Sequence, residues 1–275
     1  MPDTVQARLL LDCRNVLAEG IQWHAEQKKL YWTDIHGRAL WCCNADGGEA
    51  IKIAVPKRVG SFAFSEQDTI LLAHEDGLAH FDPGTGQLTD ILQTEPDLPG
   101  TRLNDGRCDR DGRFIYGGLD EESLRPISAV YSYDGGKASK RLIGDVGCTN
   151  SLCFSPDGET MYFADSSGRK IFRHTYDRKT GTLSGRQMFA ELNGTEGAPD
   201  GSCVDAEGAV WNAQFEGGCV QRFLADGTRD LRVDLPVSQV TLACFGGENL
   251  DRLFIATARE GFSAERERTQ PTAGG

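Results

Sequence analysis

A short β-like run recurs six times along the chain, and this repetition restricts the possible folds more than any other feature. The starts of the runs are 40, 44, 47, 49 and 43 residues apart. Most runs follow a tight-turn signal such as DRDG, SPDG or DAEG and precede a Gly-centred turn and another strand. A period near 45 residues with about four strands per repeat is typical of a β-propeller blade. The six runs are LYWTD from Leu30, ILLAHE from Ile70, FIYGGL from Phe114, MYFADS from Met161, VWNAQF from Val210 and LFIATA from Leu253.

The repeats extend over nearly the whole chain, so the sequence predicts an all-β fold. We expect one domain over residues 1–275, a six-bladed β-propeller with four-stranded antiparallel blades and no linker. No segment has a sustained apolar stripe at helical spacing, so few helices are expected. The tail REGFSAERERTQPTAGG contains no convincing strand, and VQARLLLD (5–12) is the candidate strand for closing the ring. The last blade is therefore expected to be incomplete or to be built partly from the N-terminus.

Composition and charge narrow the classes of partner. The 275 residues carry a formal net charge of -12, which disfavours nucleic acid and anionic lipid as partners. The N-terminus lacks the pattern of a signal peptide, and no apolar run approaches the roughly 20 residues of a membrane span. The nine cysteines are irregularly spaced and include no C-x-x-C, which indicates reduced thiols. We therefore expect a cytoplasmic protein, either a monomer or a weak homo-oligomer.

Oxygen-bearing side chains occupy an equivalent position in four of the six repeats. Counting back 10 or 11 residues from the start of a run gives Glu19, Asn104, Asn150 and Asp200, just before the first strand of each hairpin. The first strand of a propeller blade lines the central channel, so we expect these side chains to form a ring at one mouth. Two carboxylates and two amides offer only oxygen ligands. Such a set favours a divalent cation in the channel: Ca²⁺, Mg²⁺ or Mn²⁺, with Zn²⁺ or Fe²⁺ less favoured.

An ordinary structural role is the alternative for each of these residues, because Asp and Asn are common in turns. Their shared position in four repeats favours the metal site. Without a cation, two facing carboxylates would repel, and the pKa of one of them should be raised. The five histidines share no such position, and G-x-S-x-G, H-E-x-x-H and P-loop motifs are absent from the sequence. Catalysis by a nucleophilic Ser or Cys therefore lacks support.

At these positions the sequence resembles the gluconolactonase/regucalcin family, which includes the senescence marker proteins and the luciferin-regenerating-enzyme-like proteins. The matching stretches run in order over nearly the whole chain. The resemblance implies a six-bladed propeller with one divalent cation in the channel and hydrolysis of sugar-acid lactones. Family members generally continue past the QPTAGG region with another strand, so the completeness of the last blade stays open. The stretches are LAEGIQW (17–23), RLNDGRCDRDGRFIYGGLDEE (102–122), TNSLCFSPDGETMYFADS (149–166), PDGSCVDAEGAVWNAQFEGGCVQRF (199–223) and LACFGGENLDRLFIATARE (242–260).

The resemblance also implies roles for the residues at the metal site. Glu19, Asn150 and Asp200 match the direct metal ligands of the family. Asn104 matches the residue that closes the site, either directly or through water, and it belongs to the substrate-binding set as well. Asp200 matches the residue that acts as general base. The alternative is that Asp200 serves only as a ligand and the ion activates the water.

Two further positions match residues that contact the substrate in the family. They are Arg102 and the EE pair, in which we favour Glu122 over its neighbour Glu121. Arg102 would donate hydrogen bonds to the ring hydroxyls or to the developing carboxylate of a sugar lactone, and Glu122 would accept hydrogen bonds from its hydroxyls. The alternatives are a salt bridge between Arg102 and Asp105 or another acid at the rim, and a solvated loop charge for Glu122.

The predicted activity is metal-dependent opening of an aldonolactone to the free acid. The metal polarises the carbonyl group, and Asp200 accepts a proton from the attacking water. Another metal-dependent esterase or phosphotriesterase on the same propeller would use the same ligands. A non-catalytic Ca²⁺-binding propeller is the alternative from a different class. The number of polar groups beyond those needed for ligation favours an enzyme.

Overall fold

The computed structural model describes residues 3–65 and 69–275 and consists almost entirely of β-strands. A 3₁₀ turn at Ser166–Gly168 and one helix, α1 (Ala264–Thr269), are the helical elements in the described residues. In chain order the strands are β1 (Asp3–Gln6), β2 (Ala18–His24), β3 (Lys29–Asp34), β4 (Ala39–Asn44), β5 (Ile51–Ala54), β6 (Val59–Phe64), β7 (Ile70–His74), β8 (Gly77–Asp82), β9 (Gln87–Gln93), β10 (Thr101–Cys108), β11 (Phe114–Asp120), β12 (Ser128–Tyr133), β13 (Lys140–Val146), β14 (Thr149–Phe154), β15 (Thr160–Asp165), β16 (Lys170–Asp177), β17 (Thr182–Glu191), β18 (Ala198–Val204), β19 (Val210–Phe215), β20 (Cys219–Phe223), β21 (Arg229–Asp234), β22 (Val240–Gly246) and β23 (Arg252–Thr257).

The strands form blades of four antiparallel strands in sequence order, which confirms the predicted all-β propeller. Five such blades are present: β2–β5, β6–β9, β10–β13, β14–β17 and β18–β21. The prediction of six four-stranded blades was wrong, because in the described residues β22 and β23 form a sheet of only two strands. The last unit is therefore incomplete, which was one of the two outcomes expected for it. After β23 the chain enters α1, whose sequence AERERT is charged and lacks the apolar alternation of a strand. Each of the six sequence runs begins in the second strand of its sheet.

The N-terminal strand joins a different blade from the one expected. β1 pairs in parallel with β21, so it adds a fifth strand to the β18–β21 blade instead of completing the last one. The strand is also shorter than the predicted range 5–12, since it ends at Gln6. The backbone N–H of Ala7 still donates to the carbonyl of Asp234 at 3.0 Å. The unpaired backbone groups at the outer edge of β21 thus form hydrogen bonds with the N-terminal segment.

The two-stranded sheet occupies the sixth sector of the ring and packs on both of its neighbours. On one side, Leu242 and Phe254 share an apolar cluster with Leu30 of the first blade. On the other side, Val240 packs in a cluster with Val220 of the fifth blade. Four other apolar clusters likewise lie between adjacent blades. The core is therefore divided into inter-blade layers, and these layers hold the first strands around the axis.

The first strands approach one another closely around the channel. β6 and β14 are buried along nearly their whole length, as expected for strands enclosed by neighbours on both faces. A Cβ atom on Gly60 would lie 2.4 Å from the carbonyl oxygen of Asn104. Glycine is therefore the residue that fits where β6 passes β10, and the close approach brings Asn104 towards the axis.

An apolar cavity of about 720 Å³ lies beside β23, on the side where the sheet lacks outer strands. Its lining includes the segment 5–11 and the side chains of Trp32, Trp211 and Phe254. Val5 and Leu9, which also line it, are each 50% exposed. The hydroxyl of Thr257 donates to the carbonyl of Gly275 at 2.8 Å and thereby ties the C-terminal residue to the rim of this cavity.

The nine cysteines all lie within the described residues and are free thiols. No helix in the described part of the chain has the length and apolar character that crossing a bilayer requires.

Candidate active site

The four side chains at the shared sequence position lie near the start of the first strands of four blades. Glu19 is on β2, Asn104 on β10, Asn150 on β14 and Asp200 on β18, and all four are buried. In each of these strands the pairing register shifts at or next to this residue, as it does at a β-bulge. Bulges bend a strand and re-aim its side chains, and they are common next to active sites. The shared position is therefore a bulge inside the first strand rather than a turn that precedes it.

The backbone next to two of these residues has an unusual conformation. Gly20 and Ser151 have φ angles of 63° and 61°. A positive φ is unremarkable for glycine but costs energy for serine, and such strain concentrates at functional sites. The Ser151 hydroxyl donates to the carbonyl of Asp200 at 2.5 Å, and Nδ2 of Asn212 donates to the same carbonyl at 3.2 Å. Sequence reasoning missed both residues, although an asparagine in the middle of the buried run VWNAQF was a signal.

A run of hydrogen bonds connects the third, fourth and fifth blades at this end of the channel. Nδ2 of Asn104 donates to Oδ1 of Asn150 at 3.2 Å and to the carbonyl of Thr149 at 3.0 Å. Nδ2 of Asn150 donates to the hydroxyl of Ser166 at 2.8 Å. That hydroxyl in turn donates to the carbonyl of Pro199 at 2.7 Å. These contacts fix the orientation of both amide groups and link them to the strand that carries Asp200.

Burial makes the carboxyl groups of the site hard to ionise. It raises the pKa of Glu19 to about 8, with a further contribution from the negative charge of Asp105. Burial also raises the pKa of Asp200 well above its usual value, and repulsion by Glu19 and Asp105 adds to the shift. The pKa of Asp105 is raised by burial too, while Arg107 and two backbone N–H groups oppose that shift. The direction agrees with the sequence-based expectation of a raised pKa, but desolvation contributes more than repulsion.

The chemistry of this cluster fits a divalent cation with a preference for oxygen ligands. Two buried carboxyl groups and two oriented amides lie at one end of the channel, and such ligands suit Ca²⁺, Mg²⁺ or Mn²⁺. A bound cation would favour the charged forms of Glu19 and Asp200 and offset the cost of burying them. Among the described residues no group of three or more His, Cys, Asp or Glu is placed to hold a metal. The two carboxyl groups alone are therefore too few to hold a cation, and the amide oxygens of Asn104 and Asn150 are needed to complete the ligand set.

Arg102 lies inside the cluster, with its side chain 7% exposed. Its Nη1 donates to Oδ1 of Asn104 at 2.8 Å and to the carbonyl of Leu103 at 3.1 Å. Its Nε lies 3.3 Å from Oε1 of Glu121, which makes an ion pair without the alignment of a hydrogen bond. Arg102 therefore pairs with an acid at the rim, but that acid is Glu121. The carboxylate of Asp105 accepts instead from backbone N–H groups, at 2.8 Å and 2.9 Å.

Glu121 and Glu122, the two members of the EE pair, have different surroundings in the structure. Nη1 and Nη2 of Arg58 donate to Oε1 and Oε2 of Glu121 at 2.7 Å and 3.0 Å, beside Arg102. Glu122, the residue favoured from the sequence, has a side chain that is 78% exposed and pairs with Arg125 at 3.2 Å. The cluster therefore includes Glu121 and leaves Glu122 in solvent.

A second acid near the mouth was missed by sequence reasoning. The charge of Glu260 raises the pKa of Glu19 and of Asp200, although it is the smallest of the contributions to each. Oε1 of Glu260 lies 2.6 Å from Nε2 of His36, and this hydrogen bond is the main reason that the pKa of Glu260 is lowered. Neither residue occupies the position shared by the repeats, so counting through the repeats could not find them.

Together these groups can bind and polarise a small, highly oxygenated molecule. The cluster offers guanidinium and amide donors beside buried carboxyl groups whose raised pKa values make them proton acceptors of more than ordinary strength once ionised. General acid–base chemistry requires such groups within reach of one another in a site that excludes most water.

Comparison with known proteins gives consistent matches over most of the chain. The family described as SMP-30/Gluconolactonase/LRE-like region matches residues 17–259. An L-arabinolactonase of Azospirillum brasilense is 41% identical over 274 residues, which cover 98% of this chain and 90% of the relative. A pentonolactonase of Haloferax volcanii is 35% identical over 250 residues, covering 90% and 82%. The crystal structure of a calcium-binding protein, regucalcin, from Agrobacterium tumefaciens has a TM-score of 0.93 at 32% identity, covering 99% and 92%.

Proposed function

The chain belongs to the SMP-30/gluconolactonase/LRE-like family, as its motifs predicted, and on that premise we propose that it is a sugar lactonase. It opens the lactone ring of an aldonic acid to the free acid. The observation that carries this proposal is the cluster of Glu19, Asn104, Asn150 and Asp200 from four blades, with Arg102 beside it. The similarity to an L-arabinolactonase and a pentonolactonase favours a pentonic lactone as the substrate.

The proposed enzyme uses one divalent cation in the channel. Glu19, Asn150 and Asp200 are its direct ligands, and Asn104 completes the site either directly or through water. The oxygen-only donor set and the calcium-binding relative support this assignment, while Ca²⁺, Mg²⁺, Mn²⁺, Zn²⁺ and Fe²⁺ are all candidates. When bound, the cation supplies Lewis-acid polarisation of the lactone carbonyl.

Asp200 is the proposed general base. It takes a proton from the water that attacks the carbonyl carbon, and it returns a proton to the ring oxygen when the ester C–O bond breaks. The products are the carboxyl and hydroxyl groups of the open aldonic acid. The Ser151 hydroxyl and Nδ2 of Asn212 both hold the carbonyl of Asp200, which supports a fixed position for this strand during the reaction.

Arg102 and Glu121 are the proposed contacts for the sugar. Among the described residues, Nη2 of Arg102 has no hydrogen-bond partner, so it is the donor available to the substrate. Glu121 replaces Glu122 in this role because it contacts Arg102, and its carboxylate can accept from a sugar hydroxyl. A small polyhydroxylated substrate offers little apolar area, so selectivity must come from polar contacts of this kind.

The proposal is tested by measuring acid release from a panel of pentono- and hexonolactones and from an aryl phosphotriester. Metal-stripped protein should lose at least about 100-fold in rate, and one or more divalent ions should restore it. Full activity after stripping would contradict the role of the cation. Faster phosphotriester turnover would favour another hydrolase. Tight binding of Ca²⁺ without turnover of any substrate would instead favour a non-catalytic binding propeller.

A further inference from the structure

Arg58 is a charged residue near the channel mouth that the proposed reaction does not use directly. It lies just before β6, on the second blade, and its guanidinium group faces Glu121, the residue after β11 on the third blade. The two contacts with Glu121, at 2.7 Å and 3.0 Å, form a bidentate pair. Such pairs fix orientation as well as charge, because the planar guanidinium group matches the carboxylate.

Arg58 is itself held in place by Glu75. Its Nε donates to Oε2 of Glu75, and the backbone N–H of Glu75 donates to the carbonyl of Arg58 at 2.9 Å. The side chains of Arg58 and Glu75 are 24% and 21% exposed, so solvent competes only partly for these bonds. The guanidinium group therefore has a single well-defined orientation from which it can hold Glu121.

The contacts continue from Glu121 into the site. Oε1 of Glu121 accepts from Nη1 of Arg58 and also lies 3.3 Å from Nε of Arg102. Nη1 of Arg102 is occupied by Asn104, whose Nδ2 donates to Asn150. With Nε paired and Nη1 occupied, the orientation of the guanidinium plane is set, and Nη2 is left for a ligand.

We propose that Arg58 is a positioning residue for substrate binding. It holds Glu121, and through Glu121 it holds Arg102 in the orientation that presents Nη2 to the lactone. Without Arg58, Glu121 would keep one weak ion pair, and its side chain would gain rotamer freedom that binding has to remove. The role of Arg102 in this inference rests on the proposed function, whereas the ordering of Glu121 and Arg102 does not.

The test compares Arg58→Met and Arg58→Lys with a matched control, Arg178→Met. Arg178 also makes a bidentate pair, through its Nε and Nη2, with Asp111 at 3.0 Å and 2.9 Å. Asp111 lies in the turn between β10 and β11, at the opposite end of these strands from Glu121. The control therefore removes an equivalent ion pair away from the mouth.

Arg58→Met should raise KM for the lactone by about tenfold and change kcat by less than about threefold, as expected when substrate binding is lost and chemistry is kept. Arg58→Lys should recover only part of the loss, because lysine cannot form the bidentate pair. Glu121→Gln should raise KM as well, and the double variant with Arg58→Met should add little to it. The control should leave both constants unchanged.

Two readouts separate this inference from the proposed activity. Calorimetric titration with a sugar lactam, which resembles the lactone but resists hydrolysis, should show about tenfold weaker binding to Arg58→Met. The ¹⁵N resonance of Arg102 Nε, assigned from its loss in Arg102→Lys, should shift in Arg58→Met and stay unchanged in Arg178→Met. If wild-type protein binds the lactam but opens no lactone, and Arg58→Met weakens lactam binding, the proposed function is overturned and the positioning role stands. If Arg58→Met leaves the Nε resonance and lactam binding unchanged, the positioning role is overturned whatever the activity.

Discussion

The channel mouth and the apolar cavity beside β23 differ in chemistry and in origin. The mouth is formed by side chains at bulges in the first strands of four blades, and its buried groups are polar. The cavity encloses about 720 Å³ and is lined mainly by aliphatic and aromatic side chains such as Trp32, Trp211 and Phe254. It lies where the sixth sheet lacks its two outer strands.

The difference shows that volume alone does not identify the site of chemistry. Burying an ionisable carboxyl group is costly unless it is paired, and the mouth contains three of them, Glu19, Asp105 and Asp200. Two backbone N–H groups hold the carboxylate of Asp105, whereas the raised pKa values of Glu19 and Asp200 show that burying these two in their charged forms works against stability. The apolar cavity, in contrast, is accounted for by incomplete packing.

Asp200→Asn should nearly abolish lactone hydrolysis. The amide has almost the same shape as the carboxylate and can still offer one oxygen to a cation, but it cannot accept a proton from water. We expect kcat to fall by at least about 100-fold, while much of the metal affinity is kept. The measurement is steady-state hydrolysis at saturating metal, together with metal titration of the variant.

The matched control for this change is Asp226→Asn, in an exposed turn where the carboxylate caps the N–H of Thr228 at 2.8 Å. It should leave kcat unchanged. If Asp200→Asn keeps wild-type kcat, the general-base assignment is wrong, and the argument that the reaction takes place at the mouth is weakened.

The stability of the metal-free protein should decrease as pH rises from about 5 to about 8. The pKa of Glu19 is about 8 in the folded chain, against an ordinary value of 4.5. Between these values the folded chain keeps a proton that the unfolded chain releases, so the stability present at low pH is lost as pH rises through the folded-state pKa. One such proton corresponds to a slope of about 1.4 kcal/mol per pH unit.

Divalent cations should reverse this trend, because they bind the deprotonated carboxylates and therefore stabilise the fold more at high pH. Thermal melts at pH 5, 6, 7 and 8 with and without the metal would measure both effects. Glu19→Gln should reduce the slope in the metal-free melts. A metal-dependent rise in Tm that is equal at all four values would contradict the proposed burial of these acids at the binding site.

The sequence predicted the repeating part of the structure well. The six runs begin in the second strands of the six sheets, because Gly- and Asp-rich turns and β-branched runs are local signals. That Glu19, Asn104, Asn150 and Asp200 lie at one end of the channel was also predictable, since equivalent positions of different blades lie around one axis. The bulges that turn these residues inward were not predicted, because register shifts depend on pairing with the next strand.

The features that the sequence did not predict are contacts that occur once in the structure and do not recur from blade to blade. Glu121 and Glu122 are adjacent and chemically identical, and the presence of Arg58 on the neighbouring blade distinguishes them. His36 and Glu260 are 224 residues apart and meet in the fold because the ring closes. β1 was assigned to the wrong blade because the edges of β21 and β23 both offer unpaired backbone groups, and the sequence of the strand does not choose between them.

The smallest effect on activity is expected from changes in the apolar cavity. An environment-sensitive apolar dye should bind wild-type protein there, and Val5→Ser together with Leu9→Ser should reduce its fluorescence by about half, because both side chains line the cavity and are half exposed. The value of kcat/KM should stay within about twofold of wild type, since neither residue contacts the mouth. Met188→Ser is the control, because Met188 is an apolar side chain that is 57% exposed and does not line the cavity. It tests whether any loss of exposed apolar surface reduces dye binding. A loss of activity above about tenfold in the cavity variant would show that the two regions are coupled. The coupling would pass through the apolar cluster that contains Ala18 and Ile21, on either side of the Glu19 bulge. In that case the cavity would contribute to catalysis, and the proposed distinction between a reactive mouth and a passive cavity would be wrong.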